Sequence, residues 1–572
     1  GMPVNMVSHA HGQGYADLHF LIPQTVERIE FDKGPYYAEY GDFTTAGYVN
    51  FVTRDKIDEN VAELEVGMFN SYRALALVDV LPARQKADAY LAAEITGSDG
   101  AFESPQNFQR INVFGKTVFR LGDRHRTSLS LSHFTSDWSA SGQIPQRAVD
   151  AGLISRWGSI DNTEGGETSR SNLILSHQFF IDDQSLIKVN FFSTRYLFDL
   201  FSNFTFYAAD SVNGDQIEQS EGRWLNGGKA SYCRSFGTER NQILLNAALG
   251  LRSDHIGDIG LWRTKMRSEP LSTVQDGAVQ EDNYFGYVDA SWSRGHWRVN
   301  SALRYDHFLM HYTDRTSLID YAPIEKGLLS PKLGLVYSPN HDWQLYVKLG
   351  KGFHSNDARA LLTGGNSLSE ALPAAYGADV GMLVKATDKV IVNLAFWHLA
   401  LDQEFVYVGD EGIVEPSGAT VRKGLDIGIR FQPYYWLMFT GDVTYSHARS
   451  VELPSGEQFV PLAAWLTTQF SATCNLKSGW SAGLHTRHLA DRPADETNTI
   501  KAKGYLVADA VVGYSFKRLT VSASLKNLFN TEWKETQFLT TSRLLNEPEP
   551  VSDIHFTPGM PFTLSGRLKL SF

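Results

Sequence analysis

Three histidines, His9, His11 and His19, fall within the stretch SHAHGQGYADLHF at residues 8–20, with Gly12 and Gly14 set between the second and third. Imidazole is the commonest protein metal ligand and also a polar, aromatic contact group. His9 and His11 point the same way if the segment is extended. No cysteine or carboxylate joins them at the spacing of a closed zinc site. The residues alone leave three readings open: a metal site, a ligand-contacting loop, or a turn that contains histidines.

Little else in the chain carries chemistry of its own. The stretch IDNTEGGETSR groups Asp161, Glu164 and Glu167, oxygen ligands of the kind calcium takes. It lacks EF-hand spacing and reads as a flexible acidic loop. No HExxH, GxSxG or glycine-rich phosphate loop occurs, so no catalytic residue is assigned and an enzyme is not expected. Cys233 and Cys474 lie far apart and read as isolated thiols, neither a zinc knuckle nor a disulfide framework. No metal site and no cofactor is assigned.

What positions these groups is a large body of strands. The chain has 572 residues, 42% hydrophobic and 12% aromatic, and a formal charge of -12, the wrong sign for a phosphate-backbone binder. Nucleic acid is therefore excluded as a partner. No run of eighteen apolar residues marks a membrane helix, and the N-terminus shows no signal peptide. From about residue 61 the chain alternates apolar and polar residues, as strands with one greasy and one wet face do. In DWQLYVKLGKGF, Trp343, Leu345, Val347 and Leu349 share a face; in LTVSASLKNLF, Leu519, Val521, Ala523 and Leu525 do.

The connections alternate too. Short turns (LGDRHRT, IDDQS, SPNHDW, KATDK, FKR) are interleaved with long polar segments near 139–169, 200–226, 254–282, 354–373 and 528–561. That pattern belongs to an up-and-down transmembrane barrel. Twenty-three segments read as strands; an even number is expected, so 259–267 is taken as an excursion of its loop, leaving 22 antiparallel strands. The last, PFTLSGRLKLSF, puts Phe562, Leu564, Gly566, Leu568, Leu570 and Phe572 on one face, ending on an aromatic residue as outer-membrane proteins do.

A barrel of that size needs a plug, and residues 1–55 precede its first strand. Their stretch IPQTVERIEFDKGPYYAEYGDFTTAGYVNFVTRD resembles the C-terminal part of the plug domain of TonB-dependent outer-membrane receptors, through Pro23, Val26-Glu27-Arg28-Ile29-Glu30, Lys33-Gly34-Pro35, Tyr40-Gly41, Gly47, Val49-Asn50 and Thr53. KNLFNTEW, GKGFHSNDAR and the terminal Phe572 are similar to barrel motifs of that family.

The resemblance implies an all-β protein, with residues 1–55 a C-terminal portion of the plug and 56–572 the barrel. It implies a monomer in the Gram-negative bacterial outer membrane, surrounded by outer-membrane lipid. The expected function is TonB-energised uptake of a scarce substrate such as a ferric siderophore, another metal chelate, haem or cobalamin. The segment that binds TonB in the family is not seen in these residues, so the TonB complex is expected as a partner of the full-length protein. A passive substrate-selective porin is the alternative, and an outer-membrane enzyme a more distant one.

Within the resemblance the opening stretch becomes the plug's apex loop, with His9, His11, Gln13 and Tyr15 as ligand contacts. His19 reads as a hydrogen-bonded residue of the plug core. Glu27, Arg28 and Glu30 anchor plug to barrel, because charges in a lumen require partners.

Overall fold

Strands that alternate greasy and wet faces satisfy their backbones only by pairing at both edges. In a bilayer no water serves an open edge, so the sheet must close. The computed structural model describes residues 1–81, 86–238, 240–363, 371–408, 413–416 and 418–572. It shows a hairpin, β1 (Val26–Lys33) with β2 (Gly47–Thr53), and a closed barrel of 22 antiparallel strands.

The barrel strands begin with β3 (Val61–Gly67), β4 (Tyr72–Asp79), β5 (Ala87–Ser98), β6 (Phe108–Leu121), β7 (His125–Ala140), β8 (Glu164–Asp182), β9 (Ser185–Ser202) and β10 (Ile217–Thr238). They continue through β11 (Asn241–Lys265), β12 (Glu269–Arg294), β13 (Trp297–Asp314), β14 (Ile324–Tyr337), β15 (Trp343–Phe353), β16 (Ala374–Thr387) and β17 (Val390–Leu401). The series ends with β18 (Thr420–Tyr434), β19 (Leu437–Ser450), β20 (Leu466–Asn475), β21 (Trp480–Leu489), β22 (Tyr505–Phe516), β23 (Leu519–Lys526) and β24 (Thr563–Ser571). β24 pairs with both β23 and β3, Val61 opposite Ser571, and closes the ring. Among the described residues no helix is long and apolar enough to cross a membrane.

Side-chain exposure follows the alternation. Trp343, Leu345, Val347 and Leu349 are exposed on the outside, as are Leu564, Leu568, Leu570 and Phe572. Inward neighbours such as Tyr90, Asn112, Thr194 and Arg223 are buried in the lumen. The even count is correct, but its reason differs from the expectation. Residues 259–267 are no loop excursion: β11 runs unbroken through Lys265 and pairs with β12 along a tall ribbon. The register shifts between Ile256 and Ile259, and a bulge that adds a residue slips the inside-outside phase, which split one strand into two in the sequence.

The long connections are partly ordered into structure of their own. Residues 534–542 and 551–558 form a hairpin that accepts Ile144–Pro145 as a third strand, beside the short helix Gln146–Asp150. The loop expected over 354–373 contains a helix at Ala358–Thr363; its residues 364–370 lie outside the described residues.

Candidate functional site

Residues 1–55 stand inside the barrel, and the local sequence explains their turn at the top. Met6 donates to the Tyr15 carbonyl at 2.9 Å and Gly14 to the Met6 carbonyl at 2.7 Å, closing a tight loop. Gly14 takes φ +76°, which favours glycine, and a Cβ there would come within 3.1 Å of Phe43 and press on its ring. His9 sits on the loop floor with none of its surface exposed. Its ring stacks on Tyr15 at 4.3 Å and meets Phe198 edge-on at 4.8 Å.

The His11 N–H donates to His9 Nδ1 at 3.0 Å, which leaves the proton of a neutral ring on Nε2. That Nε2 faces Tyr196 Oη at 3.4 Å and Glu221 at 3.8 Å. Burial, then the Arg223, His11 and Arg359 charges, hold the His9 pKa well below the ordinary histidine range. His11 is also lowered by burial, and its Nδ1 lies 2.8 Å from Gln219 Oε1. Burial raises the Tyr15 phenol.

Beneath and beside this loop the barrel wall supplies a repeated device. An arginine and a carboxylate two positions apart share the inward face of one strand, and the remaining guanidinium hydrogens reach a backbone carbonyl of the N-terminal segment. Arg223 grips Glu221 at 2.6 Å and Asp254 at 3.1 Å while donating to the Ser8 carbonyl. Arg252 grips Asp254 at 2.6 Å and donates to the Asn5 carbonyl at 2.8 Å. Arg304 grips Asp306 at 2.7 Å and donates to the Ala38 carbonyl at 3.0 Å. A guanidinium has five donors in a fixed fork, enough for a carboxylate and a carbonyl together. The carboxylates serve as well: Glu221 accepts the Ala10 N–H at 2.9 Å, and Glu281 accepts both Ser8 N–H and Oγ at 3.2 Å.

The apex is covered from above. Asp42 accepts the N–H and Oγ of Ser355, each at 2.6 Å. Asp357 donates its N–H to Gln13 Oε1 at 2.7 Å, and Arg359 donates to the His9 carbonyl at 2.8 Å. The helix that follows places Leu361 in an apolar cluster with Met6, Ala10, Phe308, Met310 and Tyr312. Of the four apex residues, His9 is sealed in and Gln13 is engaged by the cover. His11 and Tyr15 keep partial exposure.

Two expectations are corrected. His19 is not a core residue: its side chain is 61% exposed, although it is hydrogen-bonded, to Asp17 at 2.7 Å. Arg28 and Glu30 pair with each other at 2.7 Å rather than with the wall, because positions two apart on a strand share a face. Glu27 pairs with Arg28 at 3.9 Å and lies near Lys116 on β6. Attachment of the hairpin falls instead to Lys33 with Asp426 (2.6 Å), Asp32 with Lys348 (3.0 Å), Glu39 with Lys229 (2.5 Å) and Asp55 with Lys116 (3.1 Å). These residues and the inward Arg-carboxylate pairs were missed. The pairs were visible as charges spaced by two within otherwise alternating strands.

The acidic loop is self-satisfied at Asp161, which accepts from Thr163, Asn203 and Gln216 at 2.9, 3.0 and 3.0 Å. No group of three or more His, Cys, Asp or Glu poised to hold a metal ion occurs among the described residues. The open part of the site therefore presents the His11 imidazole and the Tyr15 phenol at the mouth of a lumen, with buried guanidinium groups beneath. Such a set can clasp a polar, aromatic or anionic chelate from several sides; it does not assemble a catalytic constellation.

Residues 104–528 match the family model described as TonB dependent receptor-like, beta-barrel. Among solved structures, the ferric citrate transporter FecA in its unliganded form superposes with a TM-score of 0.83 at 17% identity, covering 100% of this chain and 87% of that one. The siderophore receptor PiuA from Acinetobacter baumannii gives 0.80 at 13% identity, over 98% and 88%. The copper transporter OprC gives 0.77 at 14%, over 99% and 89%.

Proposed function

The chain belongs to the TonB-dependent receptor family, whose members are transporters of the Gram-negative outer membrane and not enzymes, and on that premise we propose that it imports a scarce metal chelate. Residues 1–55 act as the C-terminal portion of a plug and 56–572 as its barrel. Ligand arrives between the long loops and meets the apex through His11 and Tyr15, with His9 and Gln13 reached once the 354–363 cover lifts. Substrates of the ferric siderophore or copper type fit this reading, since proteins of similar fold include a ferric citrate transporter, a siderophore receptor and a copper transporter. Haem and cobalamin remain in the same class of bulky, scarce cargo.

The observation that carries the proposal is how the segment is held. Beside apolar patches at Met6, Ala10 and Ile22, its attachments to the wall are hydrogen bonds to backbone carbonyls and ion pairs between side chains. Such polar contacts exchange with water at modest net cost. A segment held so can be displaced by a pull relayed through TonB and can return, which a permanently open porin does not need.

Titration of the folded protein with ferric citrate, a ferric catecholate and cupric ion, followed by tryptophan fluorescence, tests it. Saturable binding of one probe at micromolar or tighter supports the proposal. Failure of all three, together with a large constant conductance in planar bilayers, rejects it in favour of a passive pore.

A further inference from the structure

The outer wall carries a feature that uptake does not use. Across β5 to β8 the outward face is hollowed into an apolar groove of about 670 Å³, lined by Leu91, Val113, Leu129, Leu131 and Leu173, with Gly115 on its floor. Leu91 and Leu131 are about half exposed, 52% each, while the inward neighbours Tyr90 and Ser130 are buried, so the groove faces the surrounding lipid.

The groove ends at a transverse row of residues paired directly from strand to strand: His133 opposite Ser171, Ser171 opposite Arg195, and Arg195 opposite Trp224. Thr194 and Arg223 are buried inside, which puts Arg195 and Trp224 outside. The Arg195 guanidinium lies over the Trp224 indole at 5.5 Å and has no carboxylate partner among the described residues. His133 Nδ1 and Ser171 Oγ are 2.8 Å apart.

Height and charge say what fits. Arg195 is ten residues above the start of β9 at Ser185. At about 3.3 Å per residue and a tilt of about 40°, that is roughly 25 Å, the height of the apolar band of such a barrel. The row therefore lies at the boundary of the leaflet nearest the long loops. An outward guanidinium with no carboxylate is costly deep in lipid and is relieved by an anion at the boundary. Four residues higher on the same outward face, Asp137, Glu167 and Asp199 are paired in line. Like charges so placed repel an anion and set a ceiling above Arg195.

We propose that this groove binds one phosphate-bearing lipid of that leaflet, its acyl chain against Leu91, Val113 and Leu131 and its phosphate on Arg195, with Ser171 and His133 as further hydrogen-bond partners. The site is separate from the lumen and does not depend on the transported substrate.

Native mass spectrometry of the detergent-solubilised protein tests it. Phosphatidic acid and phosphatidylcholine of identical chains are the lipid probes and inorganic phosphate the third arm. The parent protein should retain one phosphatidic acid in preference to phosphatidylcholine, and R195Q should weaken that retention about tenfold. G115L, which fills the groove floor, should weaken it with Arg195 intact. Unchanged heat-modifiable mobility confirms that each variant is folded, and R195Q decides alone if G115L is not. Equal retention of phosphatidic acid by parent and R195Q overturns the proposal. So does binding of inorganic phosphate that competes fully with the lipid, which would mark a free-anion site.

Discussion

Arg359 donates to the His9 carbonyl at 2.8 Å while holding Asp357 at 2.8 Å, so one guanidinium fastens the loop after β15 to the buried floor of the apex. The loop thereby covers the histidine that the sequence offered first for ligand contact. Access to the apex floor and position of this loop are coupled through this guanidinium together with the Ser355–Asp42 and Asp357–Gln13 hydrogen bonds.

Replacing Arg359 by alanine should free residues 8–15 without unfolding the barrel. A charge-assisted hydrogen bond contributes about 1.5–3 kcal/mol, so amide exchange in that stretch should accelerate by at least tenfold. Hydrogen-exchange mass spectrometry reads this directly. Unchanged protection would mean that the apolar contacts of Leu361 and the hydrogen bonds to Asp42 and Gln13 hold the cover without Arg359.

Arg223 is a harsher test. R223M leaves Glu221 buried without its cation, a loss of about 3–5 kcal/mol, while Asp254 keeps Arg252 at 2.6 Å. The N-terminal segment should become protease-sensitive while the barrel keeps its heat-modifiable mobility. Adding E221Q should restore part of the loss, because the orphaned charge is then removed.

The sheet formed by the long loops at residues 144–145, 534–542 and 551–558 should be acid-sensitive through His555. Burial, then the Arg147 charge, push this imidazole down to about 3 from an ordinary value of 6.5. The unfolded loop binds the proton more readily than the folded one, so stability is complete above about pH 6.5 and falls as pH drops toward about 3. His555 Nε2 lies 2.8 Å from Ser542 Oγ. H555Q, which can keep that bond without titrating, should flatten the pH dependence of proteolysis within 534–558.

At the apex, Y15F and H11A should each weaken ligand binding about tenfold while leaving the segment in place, since both side chains keep partial exposure. H9A should behave differently, loosening the loop by removing the stack on Tyr15 and the acceptor for the His11 N–H. Titration of each variant beside its exchange pattern separates the two effects. Equal binding by Y15F, H11A and the parent would move the ligand site away from the apex.

The barrel was legible because lipid on one side and water or protein on the other impose a period of two on every strand. Trp343 to Leu349 and Leu564 to Leu570 show it without interruption, and both runs are outward as expected. Legibility failed where that period slips: the bulge near Gly257 disguised the upper part of β11 as a separate segment. Glu27, Arg28 and Glu30 were identified as charges that need partners, but sequence does not say which faces meet inside a lumen. Their partners proved to be mainly one another, and the wall contacts came from Asp32, Lys33 and Glu39. The pairs Glu221-Arg223, Arg252-Asp254 and Arg304-Asp306 were readable as spacing, yet their role depends on backbone carbonyls far away in the chain.

The central claim is energised import, and uptake in living cells tests it most directly. Cells expressing the full-length protein would be given radiolabelled ferric citrate, ferric catecholate and copper, with the proton gradient intact or collapsed by an uncoupler. One probe should accumulate only while the gradient is intact and stay bound at the surface when it is collapsed. Equal accumulation with and without the gradient would contradict energised import and make the protein a passive pore.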